Sequence, residues 1–176
     1  MKNKYEIREK HAVVFVNCKG ETLETLISLE DLERVKLFPY TWYAHYNKRR
    51  NVYIVSGNFG LTEEGRKRVL LSRWIMNPSE KLVVDHVNHN TLDNRRVNLR
   101  VITDAENHQN LKSVNKNGIP RGVHQLKRSG KWAAYLTINN ERIHLGKFNT
   151  MLEANEAAQL GRKFLMPYSQ ENLLEG

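Results

Sequence analysis

The chain has 176 residues, 28 Lys+Arg against 19 Asp+Glu, a formal net charge of +9 and 40% hydrophobic residues. That hydrophobic share lies under the ~45–50% of typical globular chains and suits small cores in one or two domains. No apolar run approaches the ~18–20 residues of a membrane span, and the charged residues 1–10 lead into too short an apolar run for a signal peptide. A single cysteine, Cys18, excludes an internal disulfide framework and a cysteine zinc ribbon. The expectation is a soluble cytoplasmic chain without membrane contact, whose positive excess calls for an acidic partner, nucleic acid first.

The first 65 residues read as strand-rich. Ala12-Val13-Val14-Phe15-Val16 is a β-branched run closed by Asn17 and Gly20. Residues 26–37 look helical, with Ser28 as N-cap, Asp31 in the first turn, and Leu29, Leu32 and Val35 at helical spacing. Thr41-Trp42-Tyr43-Ala44-His45-Tyr46 and Val52-Tyr53-Ile54-Val55 form a hairpin around the basic turn 47–51. The stretch 66–75 is basic and apolar with no clear period, and Arg73 in it is a candidate DNA contact.

A change of character follows. Val83-Val84 leads into Asp85-His86, then an Asn-rich loop carrying Asp93 and Asn94, then the strand Asn98-Leu99-Arg100-Val101-Ile102. Thr103 and Glu106 make a capping box, so a helix starts there with Asn107 at its beginning. In such a strand–loop–strand–helix unit, Asp85-His86 and Asn107 can face each other. Asp85 and Asn107 offer hard oxygen donors to a Mg²⁺-like ion. His86 can take a proton near neutral pH, and Asn98 can orient it. Together these types compose a single-metal phosphodiesterase site. The same residues also read as Asx-turn chemistry with a surface histidine, and His86, His89 and His108 as a zinc site.

Residues 112–118 are polar with a Gly and serve as a linker. From 112 to 147 there are eight basic residues and one acidic one, +7 of the chain's charge. Strands are expected at 121–125, 131–138 and 141–145, with Asn139-Asn140 as a two-residue hairpin turn. Trp132, Ala134, Leu136 and Ile138 share an apolar face. Thr150 and Glu153 cap a helix whose stripe of Ala154, Ala157, Ala158, Gly161 and Leu165 covers that face. The opposite face is polar, basic and aromatic, and suits a DNA major groove. Its other reading is plain solvated surface.

Two resemblances sharpen this. Val83-Val84-Asp85-His86-Val87-Asn88-His89-Asn90, Asp93-Asn94-Arg95-Arg96-Val97-Asn98-Leu99-Arg100 and residues 103–107 resemble the HNH (ββα-metal) endonuclease family. Leu71-Ser72-Arg73-Trp74-Ile75-Met76-Asn77-Pro78 resembles the lead-in of its phage and bacterial homing-type members, with Ser72 where relatives commonly carry histidine. The resemblance implies Asp85 and Asn107 as metal ligands, His86 as general base, Asn98 as its orienter, and one Mg or Mn ion as cofactor. Arg121-Gly122-Val123, Lys131-Trp132-Ala133-Ala134, His144-Leu145-Gly146-Lys147-Phe148 and residues 153–158 resemble the AP2 DNA-binding domain. That likeness implies double-stranded DNA as partner, read through Arg121, His124, Lys131, Tyr135, Thr137, Arg142 and His144.

The expected architecture is α+β in small modules: a β-rich region 1–65, an HNH motif 66–111, the linker 112–118 and an AP2-like domain 119–176. The expected activity is metal-dependent cleavage of double-stranded DNA, nicked by a monomer in a bacterial or phage-infected cell. The alternatives are a non-catalytic DNA-binding regulator and an RNA-binding protein, the latter requiring exposed stacking aromatics.

Overall fold

The computed structural model describes residues 1–62, 65–111 and 117–172. The chain divides into two units, Met1–Thr103 and Asp104–Gly176. In the first, β1 (Tyr5–Arg8), β2 (His11–Cys18) and β3 (Glu21–Ile27) form an antiparallel meander. The β2–β3 turn is Lys19-Gly20, both at positive φ, the twist that a two-residue hairpin needs. The run expected as one strand at 12–16 is the middle of β2, with Ala12, Val14 and Val16 fully buried.

The helix expected over 26–37 is shorter and later. β3 takes Leu26 and Ile27, a 3-10 turn follows at Leu29–Asp31, and α1 spans Leu32–Lys36. Ser28 makes no capping bond; its Oγ accepts from Arg96 N–H at 2.9 Å. Tertiary pairing outcompetes a local cap here. β4 (Trp42–Asn47) and β5 (Val52–Thr62) form the expected hairpin. The ambiguous stretch 66–75 splits into β6 (Gly65–Leu70), paired with β5, and α2 (Leu71–Met76), closed by Asn77 at positive φ. Next come β7 (Val83–His86), β8 (Asp93–Asn94) and β9 (Leu99–Ile102). The larger sheet runs β6-β5-β4-β2-β3-β8, and β7 pairs with β9.

The core of this unit joins both halves of the sequence. Val14, Ile27, Val35, Phe38 and Trp42 pack with Leu71, Ile75 and Leu99. Residues 1–65 and 66–103 therefore share one core, and the boundary expected at 65 falls at the β5–β6 pairing.

In the second unit α3 (Asp104–Asn107) precedes β10 (Val123–Gln125), β11 (Trp132–Ile138) and β12 (Glu141–Phe148), an antiparallel sheet in that order, followed by α4 (Met151–Leu165). Of the linker expected at 112–118, residues 112–116 lie outside the described residues. Asn139 and Asn140 both take positive φ, as the hairpin requires. Thr150 and Glu153 close a reciprocal capping box on α4. Ala154 and Ala158 bury completely against Val123 and Ala134, with Trp132 packed beside them. Gly161 lets Leu136 and Leu145 approach the helix closely. One helical position departs from expectation: Leu165 is largely exposed, and Arg162 is the buried residue on that turn. Among the described residues no helix is long and apolar enough to cross a membrane.

Phe38 fixes the aromatic cluster of the first unit, its ring centroid 4.2 Å from Trp42, 5.1 Å from Phe59 and 5.6 Å from Trp74. Gly57 lies under that ring, and a Cβ there would collide with it. Gly57→Ala is expected to lose about 1–3 kcal/mol of stability, the range for overpacking a core, read as a lower thermal midpoint. An unchanged midpoint would mean that the ring is not fixed against β5.

Candidate functional site

β7 and β9 pair antiparallel, with Asp85 opposite Arg100 and His86 opposite Leu99. Asp85 and His86 thus stand at the end of a strand, where a twelve-residue connection begins. Long loops carry mobile backbone unless other elements hold them. The first unit holds this one by pairing β8 to β3, with Leu26 opposite Asp93 and Ile27 opposite Asn94. Leu26 N–H donates to Leu92 O at 2.9 Å, and Thr25 Oγ to the same oxygen at 2.8 Å.

That pairing buries Asn94 beside His86. Asn94 Nδ2 donates to Thr25 Oγ1 at 2.9 Å and to Thr91 O at 3.2 Å. A carbonyl can only accept, so the amide orientation is set and Asn94 Oδ1 is an acceptor. His86 Nε2 lies 3.1 Å from that oxygen. In the neutral ring Nε2 therefore carries the proton and Nδ1 does not. Burial lowers the pKa of His86 below the ordinary 6.5, against the smaller raising effects of Asn94, Asp85 and Asp93. The imidazole is thereby neutral at physiological pH and able to accept a proton.

Asn98 serves otherwise than expected. Its Oδ1 accepts from Asn88 N–H at 2.9 Å, and its Nδ2 donates to Asp93 O at 2.7 Å. It ties the loop's two ends together, and Asn94 orients the imidazole. The Asp93-Asn94 step was visible in the motif. That Asn94 reaches His86 depends on β3, some seventy residues upstream.

Asp85, the expected metal ligand, is 11% exposed and paired with Arg100, whose Nε and Nη2 both converge on Oδ2 at 2.9 and 2.8 Å. Two further carboxylates are held the same way. Asp93 takes Arg95 Nε and Nη2 on separate oxygens, each at 2.7 Å. Asp31, also buried, takes Arg96 Nε at 2.9 Å and Nη2 at 2.7 Å. The bidentate geometry suits guanidinium and fixes the loop's direction. Arg73 is likewise turned inward, donating to Leu82 O at 2.7 Å and Ser79 O at 3.3 Å, so it secures the approach to β7 instead of presenting itself as the expected DNA contact. Asn107, the second expected ligand, is the last residue of α3 and belongs to the second unit. Among the described residues no group of three His, Cys, Asp or Glu side chains converges as a metal site, which leaves the three-histidine zinc reading unsupported.

In the second unit the sheet face opposite α4 assembles the expected polar cluster. Tyr135 stands opposite His144, and Thr137 opposite Arg142. The Arg142 guanidinium lies 3.7 Å over the Tyr135 ring, and the His124 ring centroid is 5.4 Å from it. Thr137, Arg142, His144 and Lys131 are exposed. Arg121 is not part of this face. Its Nη1 donates to Gln109 O at 2.7 Å and its Nη2 to His108 O at 3.0 Å, so it caps carbonyls left open after α3.

Residues 77–109 match a protein family described as HNH endonuclease. The match spans the β7–β9 pair and α3, and supports nuclease chemistry on DNA for this stretch. Neither the curated proteins nor the solved structures contain a match to the chain.

Burial pushes the Asp93 carboxyl up in pKa, but the hydrogen bonds from Arg95 outweigh it and hold the group below its ordinary value of 3.8. A depressed carboxyl stabilises the fold above the unfolded pKa, and that contribution fades as pH falls through the folded one. Asp93→Asn should lose roughly 1.5–3 kcal/mol at neutral pH, the scale of a hydrogen bond to a charged group, discounted for the partial exposure of Arg95. Thermal melts across pH 2–7 should show the wild-type advantage shrinking below pH 3.8. A gap independent of pH would remove the charge from the account.

Proposed function

We propose that the chain is a metal-dependent HNH endonuclease of homing type that nicks or cleaves double-stranded DNA, with the second unit acting as an AP2-like module that positions it. It works as a monomer in the cytoplasm of a bacterial or phage-infected cell. The observation that carries the reading is the fixed tautomer of His86 inside the matched stretch 77–109. A half-buried histidine held with Nδ1 unprotonated suits a general base, and a random surface histidine has no need of a buried amide to orient it.

In this reading His86 Nδ1 takes the proton of a water that attacks phosphorus, while the ester bond from phosphorus to one strand oxygen breaks and that oxygen leaves to be protonated from solvent. Asn94 keeps the ring in place as it becomes positively charged, and Asp85 beside it favours that charge. Asp85 is the residue of the first unit that would hold a Mg or Mn ion, and Asn107 is the second ligand that the resemblance to the HNH family implies. A carboxylate and an amide oxygen are the hard donors such ions prefer, and Arg100 anchors the carboxylate through one oxygen, Oδ2. Such an ion, when bound, stabilises charge developing on the phosphate and leaving oxygens. Arg142 stacked on Tyr135, with Lys131, Thr137, His124 and His144, forms the DNA-facing surface of the second unit. On the sheet of this unit Trp132, Tyr135 and Phe148 are covered by neighbours, which favours duplex DNA over single-stranded RNA, while Phe164 on α4 is exposed.

His86→Ala should lower plasmid nicking by about 10²–10⁴-fold, the usual value of a general base, while duplex affinity changes only a few-fold. In the wild type the acid limb of the rate should lie below pH 6.5, because the base form persists below the ordinary histidine pKa. Nicking by the variant at the wild-type rate overturns the assignment of His86 as the base, and wild-type protein that does not nick with Mg²⁺ or Mn²⁺ favours a non-catalytic DNA-binding protein.

Arg142→Ala, in the full chain with EDTA present, should weaken duplex binding and flatten its salt dependence by ~0.9 in log K per log salt, one phosphate contact. Anisotropy titrations at several salt concentrations measure this. Identical slope and affinity would leave the face as solvated surface.

A further inference from the structure

Thr25 lies on β3 with no exposed surface, and Asn94 beside it is 1% exposed. A buried strand position of this shape suits valine, which has no hydroxyl to satisfy. The threonine hydroxyl is used twice. It donates to Leu92 O at 2.8 Å and accepts from Asn94 Nδ2 at 2.9 Å.

A hydroxyl carries one proton, and the bond to a carbonyl, which can only accept, commits it. Leu92 O also takes Leu26 N–H at 2.9 Å, so this carbonyl is held on β3 by the main chain as well. Thr25 Oγ is left with lone pairs for Asn94, and the amide meets it through Nδ2. Oδ1 then faces His86 Nε2 at 3.1 Å and receives its proton. The donors run in one direction, away from the ring: Nε2–H to Oδ1, Nδ2–H to Oγ, and Oγ–H to Leu92 O. Bonds aligned in this way polarise one another, so Oδ1 accepts more strongly than an isolated amide oxygen would. Thr91 O is a second acceptor for the amide, at 3.2 Å, and comes from the loop itself. Thr25 is the shorter contact and stands on a strand flanked by β2 and β8. It ties the amide to the sheet.

We propose that Thr25 is a positioning residue for the nuclease reaction: its hydroxyl, acting through Asn94, holds the His86 imidazole in the tautomer whose Nδ1 can take a proton from water. The catalytic consequence rests on the nuclease reading, and the relay itself does not. A residue some sixty positions upstream of His86 thus helps to make it a base.

The test uses the full chain, ¹⁵N-labelled at histidine, at a pH well above the 6.5 ordinary for this side chain. Protonated and unprotonated ring nitrogens differ widely in ¹⁵N shift, and His86→Ala identifies the signals among the seven histidines. Wild-type His86 should show Nε2 protonated and Nδ1 not. Thr25→Val keeps the shape and removes the hydroxyl. It should mix the two tautomers and lower the nicking rate constant about tenfold or more, as misplaced catalytic groups do, while duplex affinity in EDTA stays at the wild-type value. Thr25→Ser keeps the hydroxyl and should restore both readouts even if it melts earlier, which separates the relay from lost packing. In an Asn94→Ala background, where the relay is already cut, Thr25→Val should lower nicking no further. A wild-type His86 with Nδ1 protonated overturns the proposal without any variant. So does a Thr25→Val protein with one tautomer and wild-type nicking, a Thr25→Ser protein that behaves like the valine variant, or an undiminished loss in the Asn94→Ala background. Absence of nicking by the wild type with Mg²⁺ or Mn²⁺ overturns the nuclease reading, and the tautomer still decides the relay.

Discussion

The pairing of Asp93-Asn94 onto the edge of β3 is the constraint from which the rest of the first unit follows. It takes a loop of polar residues and makes its middle part of a sheet. The pairing buries the Asn94 amide, whose two donors meet Thr25 and Thr91, and leaves its oxygen to His86. An unpaired amide at that depth would be costly, so the network is complete or the loop moves. The N-terminal sheet is thus more than a separate scaffold. It supplies the hydroxyl that sets an amide, and the amide sets an imidazole.

The arginines around this loop show how charge is used when it is partly buried. Arg95, Arg96 and Arg100 form a basic run in sequence, which on composition alone suggests contact with phosphate. Each instead holds a carboxylate of low exposure: Asp93, Asp31 and Asp85. Guanidinium offers a planar fork that fixes direction as well as distance, which lysine in the same places would not. Arg73 and Arg121 follow the same logic with carbonyl oxygens. The positive surplus available to a nucleic acid is consequently smaller than the net charge implies. It lies chiefly on residues such as Lys131 and Arg142, which no carboxylate among the described residues engages.

The second unit separates packing and recognition by face. Ala154, Ala158 and Gly161 let α4 lie close on the sheet, since larger side chains would meet Leu136 and Leu145. The far face is left to His124, Tyr135 and Arg142, which pack on one another and so present a surface with few free rotamers. Arg162 interrupts the small-residue stripe. It buries a charge where an alanine would have fitted the pattern, and its partners Glu171 and Arg121 arrive from both ends of the unit.

Much of this was legible in the residues alone. β-Branched and aromatic runs marked β2, β4 and β5, period-two alternation marked β11 and β12, and the Asn139-Asn140 turn and the Thr150 cap were visible because their causes are local. The Asp85-His86 pair and the following strand were legible as a motif, and the match over 77–109 agrees with nuclease chemistry there. What the sequence by itself could not decide is which of several equivalent polar side chains meets which partner. Asn88, Asn90, Asn94 and Asn98 are alike in chemistry, and only the register of β3 against β8 makes Asn94 the holder of His86 and Asn98 the tie of the loop. Ser28 reads as a cap until Arg96 is brought to it, and Arg121 and Arg73 read as DNA contacts until nearby carbonyls claim them. Local pattern determines elements because its energies act over a few residues. Partner choice among buried polar groups is made across the fold, where each donor goes to whichever acceptor the packing leaves open.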